Sequence, residues 1–394
     1  MVGTVVLLLL ADLGVGSAIH ALKSSNPESP KALTSYYSGV AAAPKAPWWP
    51  SVLLESFQQA YVAQFEPLRG FDFPRNLSGP YLNVTDGVRR SYEPPASGTG
   101  KPVEVLFLGG STTQGAFQRD DYTIPSDVAR LATGDDIPIH VVNRGQYGYA
   151  IWQEVELLEE LLTSGYRPDV VVFYDGVNDL SIQTTEGTTT IPSHLKAQEY
   201  AQAIAQYLHP GSTQPLANRI YDAYRNRSAI AMGVSDVSSL VSSHPPASSK
   251  KLTPLQGNTQ SPDQSIPTAI TRANDAVSIY LRAVQLIQEL AAGYNFQVRA
   301  FWQPFLYSKK PVAAEKNIEG FEGESPPAWF AMAAQARKDL RPPVIDLSDA
   351  LNGVKAPVMI DYEHTNELGS LAVAKAMYGS LKPVLTAVAD KSQP

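Results

Sequence analysis

The chain has 394 residues, 44% hydrophobic and 18% charged, which gives ample material for a large core and excludes global disorder. A net charge of −7 with no basic run argues against nucleic acid as a partner. The absence of cysteine excludes thiol nucleophiles, disulfides and Cys-ligated zinc, and the six histidines never fall at the HxxxH spacing of a helical zinc site.

Residues 1–22 open with an apolar run of about the 20 residues that a membrane-spanning helix needs. Asp12 interrupts it, and no Lys or Arg precedes it. The expectation is an anchor or uncleaved signal that leaves the rest of the chain outside the cytoplasm. A signal cleaved near Gly16–Ala18 and a buried amphipathic helix are the alternatives. Residues 23–100 read as an N-terminal extension. It contains a Pro/Ala/Ser-rich stretch over Ser25–Pro47, a Trp48–Trp49 pair suited to a membrane interface, and a helical pattern over Val52–Phe65. A turn-rich region of short strands follows, with sequon triplets at Asn76 and Asn83.

From residue 101 to 394 the pattern is that of one α/β domain. Buried strands are expected at Val103–Leu108, at Ile137–Val142 and over the VVVFYDG segment that begins at Val170. Helices are expected around Val128–Ala132 and over Ile151–Ser164. A Ser/Pro/Gln-rich stretch at 236–267 reads as a surface insertion. A long helix over Thr268–Ala292 resumes the pattern, then a strand within Phe296–Leu306 and a loop over Ser308–Pro327. Another helix, a short strand at Val344–Leu347 and a last helix from about Glu367 to Leu385 complete it. Strands alternating with amphipathic helices imply βαβ units and a parallel sheet covered on both faces.

Four short blocks carry the chemistry. Gly109-Gly110-Ser111-Thr112 follows the first strand, at the sheet edge where open α/β folds bind ligands. Asn143-Arg-Gly145-Gln-Tyr-Gly148 follows the second, and a glycine there brings a backbone N–H close to a reacting oxygen. Asp175-Gly176-Val177-Asn178-Asp179 follows the third, where the amide of Asn178 can donate to the same oxygen. Asp361-Tyr-Glu-His364 places an acid three residues before a histidine, on one face of a helical turn, so that Asp361 orients His364 as a base. Each block alone is as readily a turn or helix cap.

In this order the blocks resemble those of the SGNH (GDSL-like) hydrolase family over about 101–182 and 295–385. One departure is that Gly-Gly-Ser-Thr stands where the family commonly has Gly-Asp-Ser-Leu. The Gly-x-Ser-x-Gly elbow of α/β-hydrolases is not satisfied at Ser111. The resemblance implies a three-layer α/β/α sandwich with a parallel, flavodoxin-like sheet. It also implies Ser111 as nucleophile, His364 as base and Asp361 as its orienting acid. Ser111, Gly145 and Asn178 would form the oxyanion hole, and no metal or organic cofactor would be needed. The function that follows is hydrolysis of carboxylic esters, with O-acetyl groups on glycans as candidate substrates. An O-acyltransferase modifying an envelope polysaccharide and a non-catalytic binding module are the rivals.

Overall fold

The computed structural model describes residues 37–60, 64–73, 75–95, 101–185, 190–195, 197, 265–310, 312–315, 318 and 326–391. The hydrophobic segment 1–22 lies outside them, as does the Ser/Pro-rich stretch as far as residue 264. Among the described residues no helix is long and apolar enough to cross a membrane.

Helix α1 (Trp49–Ala60) leads into the antiparallel pair β1 (Gln64–Glu66) and β2 (Gly70–Asp72). Strands β3 (Leu77–Ser78), β4 (Asn83–Thr85) and β5 (Val88–Arg89) follow. The alternating part runs β6 (Val103–Gly109), α2 (Ser111–Gln114), α3 (Ile124–Gly134), β7 (Ile139–Asn143), α4 (Ile151–Thr163), β8 (Val170–Asp175) and α5 (Val177–Thr185). It continues with α6 (Ile266–Tyr294), β9 (Gln297–Trp302), α7 (Pro326–Asp339), β10 (Ile345–Asp346) and α8 (Glu367–Lys391).

Local signals explain the boundaries. Thr123 caps α3 by accepting from the Ser126 N–H, with Pro125 in the first turn. Ser265 caps α6 in the same way, again with a proline behind it, so the helix starts two residues before the expected Thr268. Asn295, left-handed at φ 59°, ends it. All six residues of β8 are buried, as a strand covered on both faces requires.

The main sheet runs β10-β9-β8-β6-β7-β5-β4-β3. The five strands from β6 onward are parallel, and counted in chain order they lie 2-1-3-4-5. Strands β3 to β5 are antiparallel to their neighbours, so the sheet is mixed, not wholly parallel as expected. The reason is connectivity. A meander that precedes the first crossover has no helix to return it in parallel, and it docks on the free edge of β7 through Arg89 opposite Asn143. Part of the N-terminal extension therefore belongs to the main sheet. Arg89, 1% exposed, ties this edge to the loop after α2 through Asp120, 2.8 Å away, and the Gln118 carbonyl.

Helix α3 packs on α8, while α4, α5 and α7 are grouped around α6. Right-handed crossovers put these two groups on opposite faces. Between them lies the core, with Val105, Leu106, Phe107, Val171, Val172 and Phe173 wholly buried. The change of crossover direction opens a crevice at the carboxyl ends of β6 and β8, where such sheets hold their ligands.

Candidate active site

Strand β6 delivers the chain to that crevice, where two glycines make the turn possible. Gly109 has φ +157°, and a Cβ there would come within 2.0 Å of Thr113 Oγ1 and 2.7 Å of the Tyr174 carbonyl. A Cβ on Gly110 would sit 2.5 Å from Asn178 Nδ2. No side chain fits at either position without displacing a neighbour. Ser111 is thereby set down as the first residue of α2, 4% exposed.

Ser111 Oγ is 2.7 Å from His364 Nε2, and His364 Nδ1 is 2.7 Å from Asp361 Oδ2. The last step is not built on a helical turn, contrary to the sequence expectation. Residues 361–364 form a bend ahead of α8, and Asp361 Oδ1 closes it by accepting the N–H groups of Glu363 (2.8 Å) and His364 (2.6 Å). The carboxylate thus shapes the loop with one oxygen and orients the imidazole with the other. The His364 ring also meets Phe117 edge to face, 5.3 Å between centroids. Burial disfavours a charged imidazole, but the Asp361 carboxylate outweighs it and lifts His364 to about 9. Burial likewise disfavours the charged carboxylate, yet His364 holds Asp361 below its ordinary range.

Asn178 is the second residue of α5, beyond the end of β8, and is 6% exposed. Its Nδ2 donates to the Tyr149 carbonyl at 2.8 Å, which commits one of two amide hydrogens and fixes the group beside Gly110. Gly145 does not present a free N–H as expected. That group donates to Asn143 Oδ1 at 3.0 Å, while Asn143 Nδ2 donates to the Thr113 carbonyl. A Cβ on Gly145 would fall 2.2 Å from the Gln114 nitrogen, so Gly145 is the close-packing point between this loop and α2. The N–H groups of Ser111 and Gly148 meet no acceptor among the described residues. Gly148, at φ +70°, adjoins the Tyr149 that anchors Asn178. The signal for it in the sequence is its place as the second glycine of the same block.

Three buried acids lie behind Asn178: Glu154, Asp175 and Asp179, at 0%, 2% and 5% exposure. Burial raises all three, with mutual repulsion adding to the effect on Glu154 and Asp175. Among the described residues no group of three or more His, Cys, Asp or Glu side chains is arranged to hold a metal ion.

No family model matches this chain, and no curated protein matches it. Solved structures similar to it include the acetyl xylan esterase AlAXEase (15% identity, TM-score 0.37, covering 71% of this chain and 100% of that one). Another is Axe2, an acetylxylan esterase from Geobacillus stearothermophilus (13%, TM-score 0.34, 72% and 95%). A lipase from a goat rumen metagenome is a third (12%, TM-score 0.37, 71% and 97%). All three are distant likenesses.

Proposed function

We propose that this chain is a serine esterase of the SGNH type, with Ser111 as nucleophile, His364 as base and Asp361 as the orienting acid. The observation that carries the reading is the unbroken relay of two 2.7 Å contacts from Ser111 Oγ through His364 to Asp361. The 2-1-3-4-5 order of the parallel strands, which is the flavodoxin-like order, supports it by putting Ser111 beside the crevice.

In this mechanism His364 Nε2 takes the Ser111 proton as Oγ bonds to the ester carbonyl carbon. The tetrahedral oxyanion is met by the Ser111 N–H and the uncommitted amide hydrogen of Asn178. The Gly148 N–H is the third donor, in place of Gly145, whose N–H is already engaged. Collapse breaks the carbon–oxygen bond to the alcohol, which leaves with the proton from His364. Water then repeats the sequence and releases the acid. A nucleophile only 4% exposed suits a short acyl group such as acetyl. The alcohol half, on this reading, is a glycan or small molecule met outside the cytoplasm.

The test is labelling with a fluorophosphonate probe, alongside acetate release from p-nitrophenyl acetate and acetylated glycans. Ser111→Ala is expected to lose labelling and turnover while keeping its fold. Undiminished labelling of the variant would overturn the assignment.

A further inference from the structure

The loop between β10 and α8 carries both Asp361 and His364, yet it lies in no helix or ladder beyond the single bridge of Met359 with Thr365. Its backbone is held partly by one bond of its own, the Ile360 N–H on the His364 carbonyl, and by the Leu306 N–H, from the segment after β9, on the Tyr362 carbonyl. Two further N–H groups, those of Val358 and Met359, go elsewhere. Both donate to Glu315 Oε1, at 2.7 and 2.9 Å. Glu315 ends a short 3-10 turn, Ala313–Glu315, and its other oxygen is paired with Lys309 Nζ. Both side chains of this pair are buried, at 0% and 1% exposure.

Stability alone is a poor reason for such a pair. Two charges removed from water lose as much hydration as their attraction returns, and an apolar pair of equal volume serves a core as well or better. What the charges provide is direction. One carboxylate oxygen aims two successive N–H groups, and the ammonium pins the carboxylate so that it cannot rotate away. The peptide so fixed lies two residues ahead of Asp361. We propose that Lys309 and Glu315 are positioning residues, a buried latch that holds the Asp361–His364 loop in register with Ser111. Its link to turnover rests on the esterase reading above; its mechanical part does not.

The experiment is amide hydrogen exchange on the full chain, read together with kcat and KM for p-nitrophenyl acetate. Glu315→Ala is expected to speed exchange at least tenfold at Val358 and Met359 and onward to Thr365, with amides of β6 and β8 unchanged. Its kcat should fall roughly 10–100-fold with KM within about twofold, as small misplacements of reacting groups do. Lys309→Met combined with Glu315→Gln keeps an oxygen for the two N–H groups but loses the ammonium that pins it, and should recover only part of the protection and of kcat relative to Glu315→Ala. If Glu315→Ala does not fold, Lys309→Met alone decides, with loop-confined acceleration expected. Unchanged exchange in the loop, or acceleration spread evenly over the sheet, overturns the latch. A wild-type chain that the fluorophosphonate does not label sinks the esterase reading, and the exchange pattern still decides whether the latch exists.

Discussion

His364 stands between opposing effects, and the balance has a measurable consequence. Burial favours the neutral ring, but Asp361, 2.7 Å from Nδ1, lifts the group to about 9. To accept the Ser111 proton the ring must be neutral, so kcat/KM should rise with pH and its acid limb should inflect well above the ordinary 6.5. The raised value has a stability counterpart: the stabilisation from a charged His364 is fully present below 6.5 and is lost as pH rises through about 9. Asp361→Asn removes the stabilising charge and misorients the tautomer. Its acid limb is expected to move down, with kcat lower by about 10⁴-fold. A pH–rate profile of both proteins checks this, and an unmoved limb would mean that another group titrates. That Ser111, Asp361 and His364 meet is legible in the sequence because strand ends and short spacings are local properties. The role of Gly145 is not, because the direction of an N–H depends on the Asn143 side chain turning back on the loop. Glu315 leaves no trace at all, since its partners Val358 and Met359 lie more than forty residues away.

At the scale of elements, α1 turns from an appendage into a wall of the site. Trp49, Val52 and Leu53 are buried with Phe117 and Ile360 in a second apolar cluster, apart from the sheet's core. Phe117 is the residue that meets the His364 ring, and its N–H donates to Ser56 Oγ of α1. The Asn366 amide, just beyond His364, donates to the Ala42 carbonyl. Trp49 is only 2% exposed, its ring packed inside this cluster, and the Arg119 guanidinium covers Trp48 at 4.2 Å. Asn83, in the second sequon triplet, has its Nδ2 donating to Asp120 Oδ2 at 2.7 Å. Trp49→Ala should cost about 3–5 kcal/mol, the usual loss for a large buried aromatic. Because the cluster backs His364, kcat should fall along with the melting temperature. Truncation tests the same idea. A chain beginning near Lys23 keeps α1 and should stay folded and active, whereas one beginning at residue 61 should lose turnover. Full activity without α1 would reduce the helix to a passenger.

Across the whole molecule, the alternating part of the fold and the short strands before it are readable, but the docking of the β3–β5 meander on the edge of the main sheet is not, because two- and three-residue strands carry too little pattern to name their partner. The buried acids Glu154, Asp175 and Asp179 escape notice for a related reason, since they come from α4, the end of β8 and the start of α5. No cation among the described residues offsets their charge, so they fold most favourably with protons bound. Asp179 accepts the Ile151 N–H at 3.4 Å, and its pKa is pushed up to about 7 chiefly by burial. The sign follows from linkage. A carboxyl whose folded pKa is raised contributes stability below its unfolded value near 4 and loses it as pH rises through the folded value. Every tenfold gain in proton affinity on folding is worth about 1.4 kcal/mol. The wild-type melting temperature should therefore carry a downward component between pH 5 and 8. Asp175→Asn keeps the shape, supplies an N–H donor to Glu154 and removes one potential charge from the cluster. It should match the wild type at pH 5 and exceed it at pH 8. The cluster supports the turn that carries Asn178, so the same variant should gain more activity than the wild type as pH rises from 7 to 9. Melting curves of the two proteins across pH 5–8 decide the point: parallel curves would mean that the acids are ionised throughout and find their compensation elsewhere.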